Sequence, residues 1–226
     1  MRRRRCEIDI AHSVMKNIDM VKYLVAAHAV SGCDTVACLH GIGKGTVLKA
    51  ISKGKAIEHL GDPDASMIDV ISEATQFVAT CYGVNNASTM SEARLKVWTS
   101  KAGKVKAIAP KLSTLPPTTE AFEEYIKRAH HQAMIWNAAK LPHPPTVDVE
   151  KFGWRKEESS RTLKPVMIPA ECLVAPMSIL ELIKLNCSSQ HIQCASNRCS
   201  CKNSALNCSV FCGCSNDLCS NEKSLV

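Results

Sequence analysis

Aromatic residues make up only 4% of the 226-residue chain. Nucleic-acid recognition by base stacking would therefore rest on very few side chains. The chain also lacks any apolar run of membrane-spanning length, so no partner membrane is expected. "MRRRR" is followed by Cys6, Glu7 and Asp9 rather than by an apolar stretch, so no secretory signal is expected. No internal repeat stands out, and no convincing pair of strands. No Walker loop is present either: "GIGKGTVLK" (41–49) has the glycines and the lysine but the wrong spacing, and no strand precedes it.

What is abundant is apolar residues, cysteine and unevenly placed positive charge. A hydrophobic content of 46% suffices for a core, and the length admits one domain plus a smaller module. Of the net +7, residues 1–60 carry +5, from ten Lys or Arg against Glu7, Asp9, Asp19, Asp34 and Glu58. A polyanion would be held there. Arg2 to Arg5 read either as a nuclear-import or phosphate-binding patch or as an ordinary surface segment.

Periodicity predicts a mainly α chain. Residues 20–30, "MVKYLVAAHAV", suit a buried helix ending at Ser31 and Gly32, and helical spacing resumes at 46–52. A helix over 66–82 starts at a capping-box-like Ser66 and Asp69, with Met67, Ile68, Ile71, Ala74, Phe77, Val78 and Cys81 on one face. The longest helix is expected over 118–139, with Pro116 and Pro117 before it and Phe122, Tyr125, Ile126, Ala129, Ala133 and Trp136 on its apolar side. A proline-rich linker or arm follows over 141–175. A short apolar helix over 177–185 then leads into the cysteine block. The expected organisation is thus a helical body (1–140), the arm (141–175) and a small cysteine-rich domain (176–226).

Two stretches carry chemistry. In the first, Gly41, Ile42, Gly43, Lys44 and Gly45 open a helix bearing Lys49, with Lys53 and Lys55 beyond it and no acid between residues 41 and 55. Glycines let backbone N–H groups approach a phosphate, and a helix start behind them favours an anion. A Gly-x-Gly hairpin between helices fits sequence-independent binding to the DNA backbone; the plainer alternative is a solvated loop. In the second, Cys187, Cys194, Cys199, Cys201, Cys208, Cys212, Cys214 and Cys219 fall within 33 residues. With almost no apolar side chains between them they cannot form a hydrophobic core, and thiolate–zinc bonds are the expected folding force. Two Cys-x-Cys pairs favour a shared-thiolate cluster over separate fingers. Four disulfides are the competing reading and need an oxidising compartment.

His28, Ala29, Gly32, Cys33, Asp34 and Thr35, followed by Gly41, Gly43 and Lys44, resemble the helix-two-turn-helix region of flap-endonuclease-type (PIN-like) nucleases. The resemblance is closer to a group of transposable-element-associated animal proteins, and extends to "LPPTTEAFEEYIKRAHHQAMIW" and to the terminal cysteine block. It implies that Asp34 is a remnant Mg²⁺ ligand. A two-metal site needs further carboxylates, which in that family lie upstream of the motif. Glu7, Asp9 and Asp19 do not make such a cluster, so the nuclease half is expected to be missing and this polypeptide inert by itself. In a longer natural chain Mg²⁺-dependent cleavage would return. Without it, Asp34 is read as a polar cap after the 20–31 helix.

"CSCKNSALNC" in turn resembles the CXC domain of tesmin-like proteins, implying two or three zinc ions. The opening Cys-x-Cys is reduced here to Cys187, and His191 is the candidate substitute. Arg198, Lys202 and Lys223 against Asp217 and Glu222 leave the metal-bound block near neutral, which disfavours a phosphate grip. Arg198 also stands where the family places a DNA-reading tyrosine, so a protein partner is as well supported for this block as DNA. His28, Cys33, Cys38 and His40 are weak zinc candidates by spacing, with Cys33 expected to be packed. A Cys/His/Asp hydrolase has no local support. A zinc- and DNA-backbone-binding, non-catalytic nuclear protein is the first expectation. A zinc-stabilised interaction protein without DNA binding is the second.

Overall fold

A computed structural model describes residues 8–102, 110–158, 160, 162–168, 172, 194, 199–203, 207–208 and 219–221. They are mainly helical. The expected helix at 177–185, together with Arg2 to Arg5, Cys187, His191, Cys212 and Cys214, lies outside them. Helices α1 (Ile10–Lys16), α2 (Ile18–Val21) and α3 (Leu24–Val30) precede the glycine turn. After it come α4 (Lys44–Ser52), α5 (Met67–Cys81), α6 (Met90–Ala102) and α7 (Thr119–Asn137). Strands β1 (Trp154–Lys156) and β2 (Leu163–Pro165) and helix α8 (Ser200–Asn203) complete the order. No helix among the described residues is long and apolar enough to cross a membrane.

The core is built around α7, whose Phe122, Tyr125, Ile126, Ala129 and Ala133 are all buried. Thr118 starts it, its Oγ1 accepting from the Ala121 N–H at 3.4 Å, where Pro116 and Pro117 cannot continue a helix. α3 lies against it, and the Tyr125 hydroxyl donates to the Val30 carbonyl at 2.5 Å, satisfying one of the acceptors that the end of α3 leaves open. α5 starts as its Ser66-x-x-Asp69 pattern demands, with the Asp69 N–H donating to Ser66 Oγ at 3.2 Å and the Ser66 hydroxyl donating to Asp69 at 2.7 Å. Its buried face is Val70, Ala74, Phe77 and Val78. Ile68 is 80% exposed and does not belong to that face.

The structure departs from the sequence-based expectation at three further places. The apolar run 20–30 is divided at Lys22 and Tyr23, between α2 and α3, and both side chains there bond to Glu58, at 3.2 and 2.7 Å. Helix α6 was not expected, since its buried positions Met90, Ala93 and Val97 make only a thin apolar stripe. A signal does exist for it: Thr89-x-x-Glu92 has the capping-box spacing, with Glu92 N–H donating to Thr89 Oγ1 at 3.1 Å, while the Glu92 carboxylate accepts from the Ser88 N–H, one residue before the cap, at 2.8 Å. Third, an antiparallel pair stands where no strands were read, with Trp154 opposite Pro165 and Lys156 opposite Leu163. Each strand is only three residues long, too short for alternation to be legible.

The arm carrying that hairpin docks on α7. Phe152 stacks against His130 and His131, with ring centroids 5.9 and 5.1 Å away, and Arg128 donates to the Gly153 carbonyl at 3.0 Å. Gly153, at φ +75°, passes so close that a Cβ would meet the Glu124 carbonyl oxygen at 2.7 Å. On another side, the Gly61 N–H donates to His130 Nδ1 at 3.0 Å, which leaves that nitrogen unprotonated and the proton on Nε2. Burial pushes both histidines down in pKa, and for His130 the Asp62 charge opposes the shift.

Candidate metal centre and glycine turn

The cysteine residues assemble from separate positions on the chain. Cys199 immediately precedes α8, and its sulfur accepts the Lys202 N–H at 3.5 Å, the bond that an N-capping side chain makes to the third residue of a helix. Cys208 is held by residue 221, its N–H donating to the Asn221 carbonyl at 2.8 Å while the Asn221 Nδ2 amide donates to Cys208 Sγ at 3.4 Å. Cys194 takes a positive φ of 50°. These three thiols are buried, and their sulfurs all lie within 4.8 Å of one another. Cys201, 1% exposed, is buried in the same cluster, and Cys219 packs against it.

Cys199 and Cys208 stand 3.7 Å apart, sulfur to sulfur, far beyond a disulfide bond. Sulfurs bound at about 2.3 Å to one tetrahedral zinc are separated by about 3.8 Å. Spacing and donor type therefore fit a thiophilic metal ion, and Cys194, Cys199 and Cys208 form a group that could hold one. Among the described residues it is the one group of three or more Cys, His or carboxylate ligand atoms so arranged. His28, Cys33, Cys38 and His40 do not gather in this way, and Cys33 is half-buried against the helical core as expected of a packed thiol. Burial pushes the Cys81 thiol up to about 11, marking it as an inert core residue.

The glycine turn is arranged differently from the way its lysine suggested. Ile42, 3% exposed, plugs into the core and anchors the turn, while Gly41, Gly43 and Gly45 have open space where a Cβ would stand. Gly41 needs its glycine for a φ of +75°; Gly43, at φ −112°, caps α4 in an extended conformation open to any residue. Lys44 turns back along the chain. Its Nζ donates to the His28 carbonyl at 3.1 Å and, still closer, to the Gly32 carbonyl, where it closes the C-terminal end of α3. Lys49, Lys53 and Lys55 remain exposed.

Asp34 is exposed and bonds to no described side chain or backbone group, so the end of α3 is capped by Ser31 and Lys44 in its place. The Ser31 hydroxyl donates to the Ala27 carbonyl at 2.7 Å. Gly32, at φ +93°, lets the Cys38 backbone pack closely on it, where a Cβ would sit 2.9 Å from the Cys38 Cα. Thr35 reaches across to α7 and donates to Gln132 at 2.5 Å. In this chain the conspicuous Gly-Cys-Asp-Thr run thus joins α3 to α7 and presents its carboxylate to solvent.

Searches with the whole chain find no matching protein-family model, no matching curated protein and no matching solved structure.

Proposed function

We propose that this chain is a zinc-binding protein whose cysteine block is folded by metal–thiolate bonds, and that its helical body binds the DNA backbone without cutting it. The observation that carries the zinc assignment is the convergence of three buried sulfurs with a 3.7 Å edge. Cys194, Cys199 and Cys208 would hold the ion, with Cys201 and Cys219, which pack in the same cluster, as candidate further ligands. When bound, zinc supplies cross-links that replace a hydrophobic core. Cys187, Cys212 and Cys214 belong to the same proposal, with two or three ions in total and His191 as a substitute ligand. The DNA assignment rests on the unobstructed glycine turn and the exposed Lys49, Lys53 and Lys55. An origin in the transposon-associated nuclease-like group and residence in the nucleus complete it.

The engagement of Lys44 with α3 favours a second reading, in which the body is an interaction module with no DNA role. Native mass spectrometry of the full chain, before and after chelation, tests the metal. Zinc should be present and should leave with a strong chelator; a metal-free native mass refutes the assignment. Duplex DNA binding measured by fluorescence anisotropy over a salt series tests the other half. Gly43→Leu is the clean variant, because its backbone angle and surroundings accept a side chain. A lost, formerly salt-sensitive affinity supports the backbone grip. Unchanged affinity in the variant removes the turn from the DNA site, and an original chain without salt-sensitive duplex affinity selects the interaction module.

A further inference from the structure

We propose that Asn221 positions the Cys208 sulfur as a metal ligand and draws charge from it through an N–H···S hydrogen bond. The inference rests on the zinc reading of the cluster. Cys208 and Asn221 are joined at two points: the backbone bond of 2.8 Å from the Cys208 N–H to the Asn221 carbonyl, and the side-chain bond of 3.4 Å from Nδ2 to the sulfur. The first joins the backbones of the two residues. The second aims a donor at the ligand atom.

The chemistry explains why a donor is useful there. Three thiolates with sulfurs within 4.8 Å repel one another, and an ion shared among them is held better if each sulfur disperses part of its charge onto a neighbouring N–H. Cys199 receives such a donor from the backbone of α8, through Lys202 N–H at 3.5 Å. Cys208 receives its donor from a side chain, so here the contribution can be removed by substitution. Asn221 also lies two residues after Cys219, which packs on the cluster, and its bond to Cys208 ties that segment in.

The test uses the full chain loaded with cobalt(II) as a spectroscopic substitute for zinc. Asn221→Leu removes both side-chain donors, keeps the approximate size and leaves the backbone bond. Asn221→Asp keeps the shape and replaces the donor by a negatively charged acceptor facing the sulfur. In the Leu variant, cobalt affinity measured against a competing chelator should fall by about 10- to 100-fold. The sulfur-to-cobalt charge-transfer band should also move to lower energy, a change that a merely structural role for residue 221 would not produce. The Asp variant should lose more affinity. Far-ultraviolet circular dichroism should remain that of the unsubstituted chain, because the helical core lies elsewhere.

An Asn221→Leu variant with unmoved band energy and affinity within about two-fold overturns the inference. So does an Asp variant that binds as tightly as the original. If the unsubstituted chain shows no thiolate–cobalt charge transfer, the metal reading itself fails and takes this inference with it. A band in the original chain that the variants do not shift sinks Asn221 alone.

Discussion

Replacing Lys44 by methionine separates what the glycine turn does for the fold from what it does for binding. The substitution keeps the aliphatic stem and deletes the ammonium that serves the His28 and Gly32 carbonyls. The His28 carbonyl keeps only a share of the Ser31 hydroxyl, at 3.2 Å against 2.7 Å to Ala27, so both carbonyls lose by the change. A hydrogen bond from a charged donor contributes about 1.5–3 kcal/mol, and a cation at a helix C-terminus about 0.3–1 kcal/mol. Lys44 is exposed, so water can partly replace it, and the expected cost is about 1–2 kcal/mol. For a chain of this length that lowers Tm by about 2–8 °C.

The contrast is with Lys49, Lys53 and Lys55, whose ammonium groups form no ion pair or hydrogen bond with described residues. Changing all three to glutamine should alter stability by less than about 0.5 kcal/mol each. If they meet phosphates, the slope of log affinity against log salt should drop by up to about 3, at about 0.9 per phosphate contact. Thermal unfolding and anisotropy titrations on the same preparations provide both readouts. A Lys44→Met protein with unchanged Tm and a slope reduced by about one contact would refute the capping role and return Lys44 to the phosphate site.

Two further outcomes follow from the packing around α7. The buried histidines have pKa values held below their ordinary 6.5, mainly by burial, so the unfolded chain binds protons that the folded chain refuses. Their stabilising contribution is therefore full above about pH 6.5 and is lost as pH falls toward the folded values, by at most about 1.4 kcal/mol per unit for each histidine. Urea unfolding between pH 7.5 and about 5 should show this decline, and His130→Gln with His131→Gln should flatten it; an unaltered slope would contradict the burial argument. Gly61→Ala is the second case. Gly61 sits at φ +93° with a Cβ position 2.7 Å from the Ala133 Cβ, which predicts a loss of about 2–4 kcal/mol from the backbone conformation and overpacking together. Adding Ala133→Gly should recover little, because it leaves Asn137 Nδ2 at 3.0 Å and puts a glycine into α7 at a cost of about 1 kcal/mol, and full tolerance of Gly61→Ala in chemical denaturation would show the loop to be free to move away.

How far the sequence could be read depended on whether the controlling interaction was local. Ser66-x-x-Asp69 and Pro-Pro-Thr118 place the starts of α5 and α7 because a cap bonds to N–H groups two or three residues away. Thr89-x-x-Glu92 carried the same information for α6, hidden by a thin apolar stripe. The contact of Lys22 and Tyr23 with Glu58 was not legible, since Glu58 lies some 35 residues along. Ile68 looked like core by its helical spacing alone, and in the fold it is 80% exposed.

The cysteine block and the glycine turn divide in the same way. Ligand chemistry is local to each side chain, so eight thiols without an apolar core already point to metal. Which thiols share an ion depends on how distant segments meet, and only the folded chain brings Cys194, Cys199 and Cys208 within 4.8 Å and sets Asn221 on one of them. The three glycines likewise declare an open turn by composition alone. The direction of Lys44 is a tertiary decision: a flexible cation goes to the strongest unsatisfied acceptors within reach, and those are the carbonyls at the end of α3.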